Sequence, residues 1–180
     1  MKKFEEKTVK SQTIFKGKVI TLVHEDVELP NGKQSKREVV KHPGAVAVIP
    51  ITKEKKIMLV EQYRKPLERS IVEIPAGKLE PGEAPEVTAL RELEEETGYT
   101  TEKLSYVTAF YTSPGFADEI IHIYLAEDLK KVESPLTPDE DEFVDIMECS
   151  LEEAEKMVAE KKIYDAKTAY AILYLKTRGL

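Results

Sequence analysis

The sequence predicts an α+β fold with a mixed sheet between helices, and three observations carry that prediction. Short runs rich in Val, Ile and Leu are closed by turn residues such as Asn31-Gly32 and Ser113-Pro114-Gly115. Start and stop signals bracket three helical segments from residue 84 onward. Strands outnumber helices, and the two do not follow one another in strict βαβ order.

In order along the chain, residues 18–29 and 33–41 alternate charged with β-branched or Leu residues, and Asn31-Gly32 between them is a hairpin signal. The run Ala45–Ile51 reads as a buried strand, and Lys56–Gln62 as another beyond the turn Thr52–Lys55. Ile71–Ile74 is a short strand leading into Pro75-Ala76-Gly77. Gly82, Pro85 and Gly98 bracket a helix over about 84–97, with proline in the first turn and glycine just past the end. Leu104–Tyr111 and Ile120–Ala126 are strand-like, joined through Ser113-Pro114-Gly115. A strand near 143–148 follows the loop 133–142. Ser150 with Glu153 forms a capping box for a helix to about 161, and Asp165 caps a last helix through Tyr174.

Composition bounds the classes of function. At 180 residues, 41% apolar and 34% charged, the chain can bury a core without disulfides and is too hydrophobic for a disordered protein. The longest uncharged apolar run, Gly44 to Thr52, falls far short of the ~20 residues a membrane helix needs. No apolar stretch follows the first basic residues, so no signal peptide is expected, and a cytoplasmic location without a membrane partner is. Cys149 is the only cysteine, which excludes an internal disulfide framework and a multi-cysteine metal site, and it reads as a packed thiol. His24, His42 and His122 lie far apart and read as structural or surface residues. A net charge of −7 argues against a nucleic-acid partner.

That charge is concentrated. Between Leu79 and Glu102 eight glutamates face a single cation, Arg91, so this segment holds the whole net charge. At ~100° per residue, Val87, Ala89, Leu90 and Leu93 share one arc of the helix, with Glu92, Glu95 and Glu96 on a neighbouring face. Like charges at this spacing destabilise a helix by a few tenths of a kcal/mol per pair. Arg91 offsets part of this through Glu95, with nothing comparable expected near Glu92 or Glu96. Two readings stay open: a solvated face, or oxygens clustered for a hard divalent cation, Mg²⁺ or Mn²⁺. A solvated face predicts interspersed lysines, and none occurs between Lys78 and Lys103.

Gly77, five residues to Glu83, then seven to Arg91-Glu92-Leu93-Glu94-Glu95-Glu96-Thr97-Gly98-Tyr99 resembles the Nudix box, GX5EX7REUXEEXGU, where U is bulky and apolar. All seven fixed letters match, which chance delivers at about 10⁻⁸ per placement. Tyr99 stands where an aliphatic residue is usual and is expected to pack in its place. Physically, Gly77 and Gly82 let the loop turn back before the helix, and Glu83 and Arg91 are placed to tie the two together. The resemblance implies a Nudix-type α/β/α sandwich with Glu92 and Glu96 as metal ligands. Glu95 would bind directly or through water, joined by the carbonyl of Ala76. It further implies a nucleoside diphosphate linked to a second group as substrate.

Beyond the box, nearly the whole chain is similar to the ADP-ribose pyrophosphatase branch. The similarity runs through Arg37-Glu38-Val39-Val40, His42-Pro43-Gly44-Ala45-Val46, Glu61-Gln62-Tyr63-Arg64, Glu73-Ile74-Pro75-Ala76-Gly77 and Ser113-Pro114-Gly115. Pro114, 15 positions beyond Tyr99, is the branch marker. The resemblance implies that Arg37 and Arg64 meet the phosphates or the adenosine end, that Ser113, Pro114 and Gly115 line the substrate, and that Glu119 lies near the terminal ribose. The branch can cover adenine with an aromatic residue, but the matching stretch Lys16-Gly17-Lys18-Val19 supplies none. In Asp139-Glu140-Asp141-Glu142 the branch implies a catalytic Glu140 and a metal-binding Glu142, and the reverse assignment fits the spacing equally.

Together these features give the expectation of a Mg²⁺-dependent enzyme, with Mn²⁺ as an alternative, that splits ADP-ribose into AMP and ribose 5-phosphate. Residues 1–42 are expected to be antiparallel strands exchanged within a homodimer, and residues 43–180 the hydrolase domain. Alternatives are another substrate (a dinucleotide polyphosphate, a nucleotide sugar or an oxidised nucleoside triphosphate), a binding module without turnover, or a plain metal-binding protein.

Overall fold

The computed structural model describes residues 3–137 and 143–180. Two compact units emerge, residues 1–44 with 110–121, and residues 45–109 with 122–180.

The first unit is a three-stranded antiparallel sheet of β1 (Lys7–Lys16), β2 (Thr21–Glu28) and β3 (Gln34–Lys41), in that order. Strands β2 and β3 are the expected hairpin. Its turn spans 29–33: Leu29 N–H donates to Lys33 O (2.7 Å), and the Asn31 side chain accepts from Lys33 N–H (3.0 Å). Strand β1 precedes that hairpin, within the expected antiparallel region 1–42, at bounds that no sequence pattern marks. All ten of its residues are exposed, so it has no buried face whose period the sequence could display. Its pairing with β2 shifts register between Thr8 and Lys10 and again between Thr13 and Phe15, irregularities common at sheet edges. The segment 110–121 docks on β3: Val40 N–H donates to Phe116 O (2.8 Å), and Asp118 N–H donates to Val40 O (3.1 Å).

A four-stranded sheet, most of it in the second unit, runs in the order β7 (Ala76–Lys78), β4 (Ala45–Pro50), β10 (Ile120–Glu127), β9 (Lys103–Tyr111). A three-stranded sheet runs β12 (Val144–Cys149), β5 (Ile57–Arg64), β6 (Arg69–Glu73), and β8 (Tyr99–Thr100) pairs with β11 (Lys130–Lys131). Among the described residues, the α-helices α1 (Pro85–Thr97), α2 (Leu151–Ala159) and α3 (Ala166–Thr177) complete the second unit. The predicted α+β class and mixed strand arrangement hold. Strand β4 is buried along its whole length, which is why it reads as an unbroken apolar run. Val46, Val48, Met58, Ala89, Leu93, Tyr124, Ala126 and Leu129 form one core cluster, with Tyr99 packed at its margin as expected. Ser150 and Glu153 make the predicted capping box, Asp165 caps α3 through Thr168 N–H (3.1 Å), and Cys149 is buried. Among the described residues no helix is long and apolar enough to cross a membrane.

Candidate active site

The acidic helix α1 buries Thr88, Ala89, Glu92, Leu93, Glu96 and Thr97, so two of the three carboxylates share the side that packs inward. Glu92 and Glu96 are 6% and 5% exposed, which sets them apart from a solvated charged face. The helix ends where Gly98 takes φ 73°, its N–H donating to Glu94 O (2.8 Å). Burying carboxylates is costly unless their oxygens are engaged. Glu96 Oε2 accepts from Ala76 N–H (3.1 Å), and Glu92 Oε1 accepts from Arg91 Nη1 (2.8 Å).

Arg91 is the hub of the loop–helix junction. Its Nη1 also donates to Glu95 Oε2 (2.8 Å), and its Nη2 donates to Glu83 Oε2 (3.3 Å) and Lys78 O (3.5 Å). The expected Glu83–Arg91 tie and Arg91–Glu95 pair are therefore present. The expectation that Glu92 has no cation nearby is corrected: adjacent in sequence, Arg91 folds back along the helix far enough to reach both carboxylates. Burial alone lowers the proton affinity of Arg91, but Glu83, Glu92 and Glu95 outweigh it and raise it. Glu83 is held below the usual carboxylate range by the Thr88 hydroxyl (2.7 Å) and by Arg91.

Gly77 has a different role from the expected turn. The positive φ (86°) belongs to Gly82, whereas Gly77 lies in β7 without one. A Cβ on Gly77 would stand 1.9 Å from the Glu92 carboxylate, so the missing side chain makes the cradle in which that carboxylate lies. Gly77→Ala is therefore expected to expel Glu92 and lower turnover by at least about tenfold. Steady-state kinetics beside a thermal melt would check this, and wild-type turnover would contradict it.

Arg64, at the end of β5, makes a two-pronged contact with Glu73 on β6: Nε to Oε1 (2.8 Å) and Nη2 to Oε2 (2.7 Å). Lys167 Nζ donates to the same Oε2 and to Asp165 Oδ1 (2.9 Å). Burial would raise the pKa of Glu73, but Arg64 and Lys167 more than offset this and hold it below the usual carboxylate range. Ile74 N–H donates to Thr168 Oγ1 (3.0 Å), and Val48 N–H donates to Pro75 O (2.8 Å). The segment 73–76 is thus pinned residue by residue up to the N–H that meets Glu96.

The first unit holds the other candidates. Arg37 Nε and Nη2 donate to Glu6 (2.8 and 2.6 Å), and Nη1 donates to Ser35 Oγ (3.0 Å) and Lys36 O (2.8 Å). Ser113-Pro114-Gly115 form a turn closed by Phe116 and Ala117 N–H donating to Ser113 O (3.1 and 2.9 Å). Glu119 accepts from the Thr112 hydroxyl and faces His42 Nε2 at 3.6 Å. Nδ1 of His42 accepts from Gly44 N–H (3.1 Å), so a neutral ring carries its proton on Nε2, toward Glu119. Glu140 and Glu142 lie outside the described residues.

The structure thus brings together Ala76, Gly77, Glu83, Arg91, Glu92, Glu95 and Glu96, with Arg64 in the same unit. Their donors are carboxylate and backbone oxygens, which suit a hard divalent cation. Among the described residues, no three Asp, Glu, His or Cys side chains are gathered as a finished cation cage. Glu73 and Lys167 are additions to the candidate site, and Asp165, expected only as a helix cap, also holds Lys167. A glutamate inside the apolar strand Ile71–Ile74 was the available signal for the first of them.

The family model for the NUDIX domain matches residues 41–169, and that for the nucleoside diphosphate sugar hydrolase N-terminal domain matches residues 6–40. An ADP-ribose pyrophosphatase of Bacillus subtilis (strain 168) is 67% identical over 99% of this chain and 96% of that protein. A methanol dehydrogenase activator of Bacillus methanolicus is 64% identical over 97% of this chain and 94% of its own length. A crystal structure described as an ADP compounds hydrolase superposes with a TM-score of 0.84 at 22% identity, covering 97% of this chain and 96% of that one, a likeness of fold. With the NUDIX match spanning most of the sequence and the box intact on α1, the chain belongs to the Nudix hydrolase family.

Proposed function

We propose that this chain hydrolyses the pyrophosphate bond of ADP-ribose, water adding across the bridge to give AMP and ribose 5-phosphate. The observation that carries the substrate is the 67% identity, over nearly the whole of both chains, to a protein named ADP-ribose pyrophosphatase. Mg²⁺ is the proposed ion, with Mn²⁺ able to replace it. When bound, such an ion supplies Lewis acidity and positive charge to a diphosphate.

The chain's own residues do the rest. Glu92 and Glu96 hold the ion, Glu95 assists directly or through water, and the Ala76 carbonyl and Glu142 complete the set. Arg91 holds Glu92, Glu83 and Glu95 together, and would keep the last two in place were Glu92 to hold an ion. Glu140 orients or deprotonates the water. Arg37 and Arg64 meet phosphates or the adenosine end, guanidinium forks being suited to both tasks. Ser113, Pro114 and Gly115 line the substrate, and Glu119, aimed by Thr112 and His42, meets the terminal ribose.

The protein is proposed to work in the cytoplasm as a homodimer with exchanged N-terminal strands. In support, β1 is an outer strand that leaves Val9, Ile14 and Phe15 exposed. Sedimentation equilibrium is expected to give twice the chain mass. An active monomer at assay concentration would remove the shared-site idea.

Release of the corresponding nucleoside monophosphate across a panel of ADP-ribose, a dinucleotide polyphosphate, a nucleotide sugar and an oxidised nucleoside triphosphate, with Mg²⁺ or Mn²⁺, tests the substrate. ADP-ribose is expected to lead, and EDTA to abolish turnover. Equal rates across the panel would end the substrate assignment. The 64% identity to a methanol dehydrogenase activator favours a second reading, action upon a dehydrogenase. Stimulation of methanol dehydrogenase by a chain inert toward the whole panel would favour it over the first.

A further inference from the structure

We propose that Lys167, in the first turn of α3, is a positioning residue that acts through Glu73 to set the direction in which Arg64 presents its guanidinium. This deepens the proposed function and rests on Arg64 meeting substrate phosphate.

The geometry forms a relay of charged groups. Arg64 spends one edge of its guanidinium, Nε and Nη2, on the two oxygens of Glu73, leaving Nη1 outside that fork. The Arg64 side chain is 38% exposed while that of Glu73 is 2% exposed, so the fork is anchored inside and its outer end reaches solvent. Glu96 lies near enough for its charge to strengthen the hold of Arg64 on its proton, so the guanidinium sits within the field of the acidic helix.

One guanidinium already neutralises one carboxylate. The second cation therefore has another effect. Lys167 Nζ binds the same Oε2 that Arg64 Nη2 uses, and two donors on one oxygen stop the carboxylate from rotating about its terminal bond. Lys167 is fixed in turn by Asp165 Oδ1, and that same oxygen accepts the Thr168 N–H that caps α3. One residue further on, the Thr168 hydroxyl accepts from Ile74 N–H. The first turn of α3 thus grips residues 73 and 74, while Ala76 N–H grips Glu96. Arg64 and Glu96 are both referenced to one four-residue segment, which fixes the phosphate-facing cation relative to the acidic face. A displacement of about 1 Å at such a group lowers catalytic efficiency by one to two orders of magnitude.

The test is steady-state kinetics on ADP-ribose at saturating Mg²⁺ for wild type, Lys167→Met and Lys167→Arg, with thermal melts alongside. Lys167→Met is expected to raise KM roughly tenfold with kcat within about twofold, and Lys167→Arg to recover most of the loss. In an Arg64→Lys background the Lys167→Met change is expected to add little, because its route to substrate has gone. A purely structural lysine would lower Tm and leave KM unmoved, which overturns the proposal, as does equal impairment by Met and Arg. Should Lys167→Met not fold, Lys167→Gln carries the same test, and an unchanged KM there overturns it. If wild type proves inactive on ADP-ribose, the substrate reading falls by itself. Calorimetric titration with ADP then decides Lys167: roughly tenfold weaker binding by Lys167→Met supports its role, and equal affinity refutes it.

Discussion

Glu96→Gln is expected to leave a folded protein whose hydrolysis of ADP-ribose falls by roughly two to three orders of magnitude. Glutamine has nearly the same shape and keeps a carbonyl oxygen to accept the Ala76 N–H that Glu96 Oε2 accepts at 3.1 Å. It deletes the charge and exchanges the other oxygen for an NH2 group of similar size. Glu96 is 5% exposed on a helix that already buries Glu92 beside Leu93, so losing one buried negative charge relieves desolvation and repulsion. Stability should hold or rise while turnover collapses. That opposite movement is the signature of a carboxylate kept for binding a cation. Circular dichroism melts and single-substrate kinetics on one preparation would check it, and undiminished turnover would refute the ligand role.

Glu73→Gln is expected to lower stability by about 3 kcal/mol at neutral pH and, by loosening Arg64, to raise KM at least as much as Lys167→Met. Glu73 is 1% exposed, and its removal as a charge leaves Lys167 with Asp165 alone and strands the inner edge of Arg64. The figure stands at the low end of what broken buried pairs cost, because Arg64 is partly solvated and can turn outward. For a chain of this size the loss lowers Tm by roughly 6–12 °C. The pH dependence has a defined sign. The folded protein holds the Glu73 carboxyl below its ordinary range, so the unfolded chain binds the proton more tightly. Stability from this pair is complete above about pH 4.3, the ordinary glutamate value, and is lost as pH falls through the lowered folded value. Urea melts between pH 7 and pH 3 should show wild type and Glu73→Gln converging on acidification. A gap that stays constant across that range would mean the carboxylate charge is not what stabilises.

The sequence made α1 legible because proline, glycine and the apolar arc all agreed on its limits, and the box spacing placed the acidic residues on it. The Arg91 ties to Glu83 and Glu95 were legible for the same reason, being local to the loop and helix. Strand β1 was not legible, since every residue in it is exposed and no buried face imposes a pattern. Strand β7 escaped because three residues, Ala76–Lys78, carry no periodicity, so Gly77 looked like a turn when its real constraint is the approach of Glu92. The Glu73 network was hidden by sequence distance, Lys167 lying 94 residues from its partner. Glu73 itself was in view as a charge in an apolar strand, and only the fold shows the cations that make its burial tolerable.

Whether the carboxylates of α1 grip a divalent ion beside a diphosphate is tested, without relying on turnover, by titration with Mn²⁺ followed by electron paramagnetic resonance. Wild type is predicted to quench the free-ion signal, more strongly with ADP present, while folded Glu92→Gln/Glu96→Gln leaves that signal intact. Equal quenching by wild type and the double variant would mean that these carboxylates are not the ion's ligands.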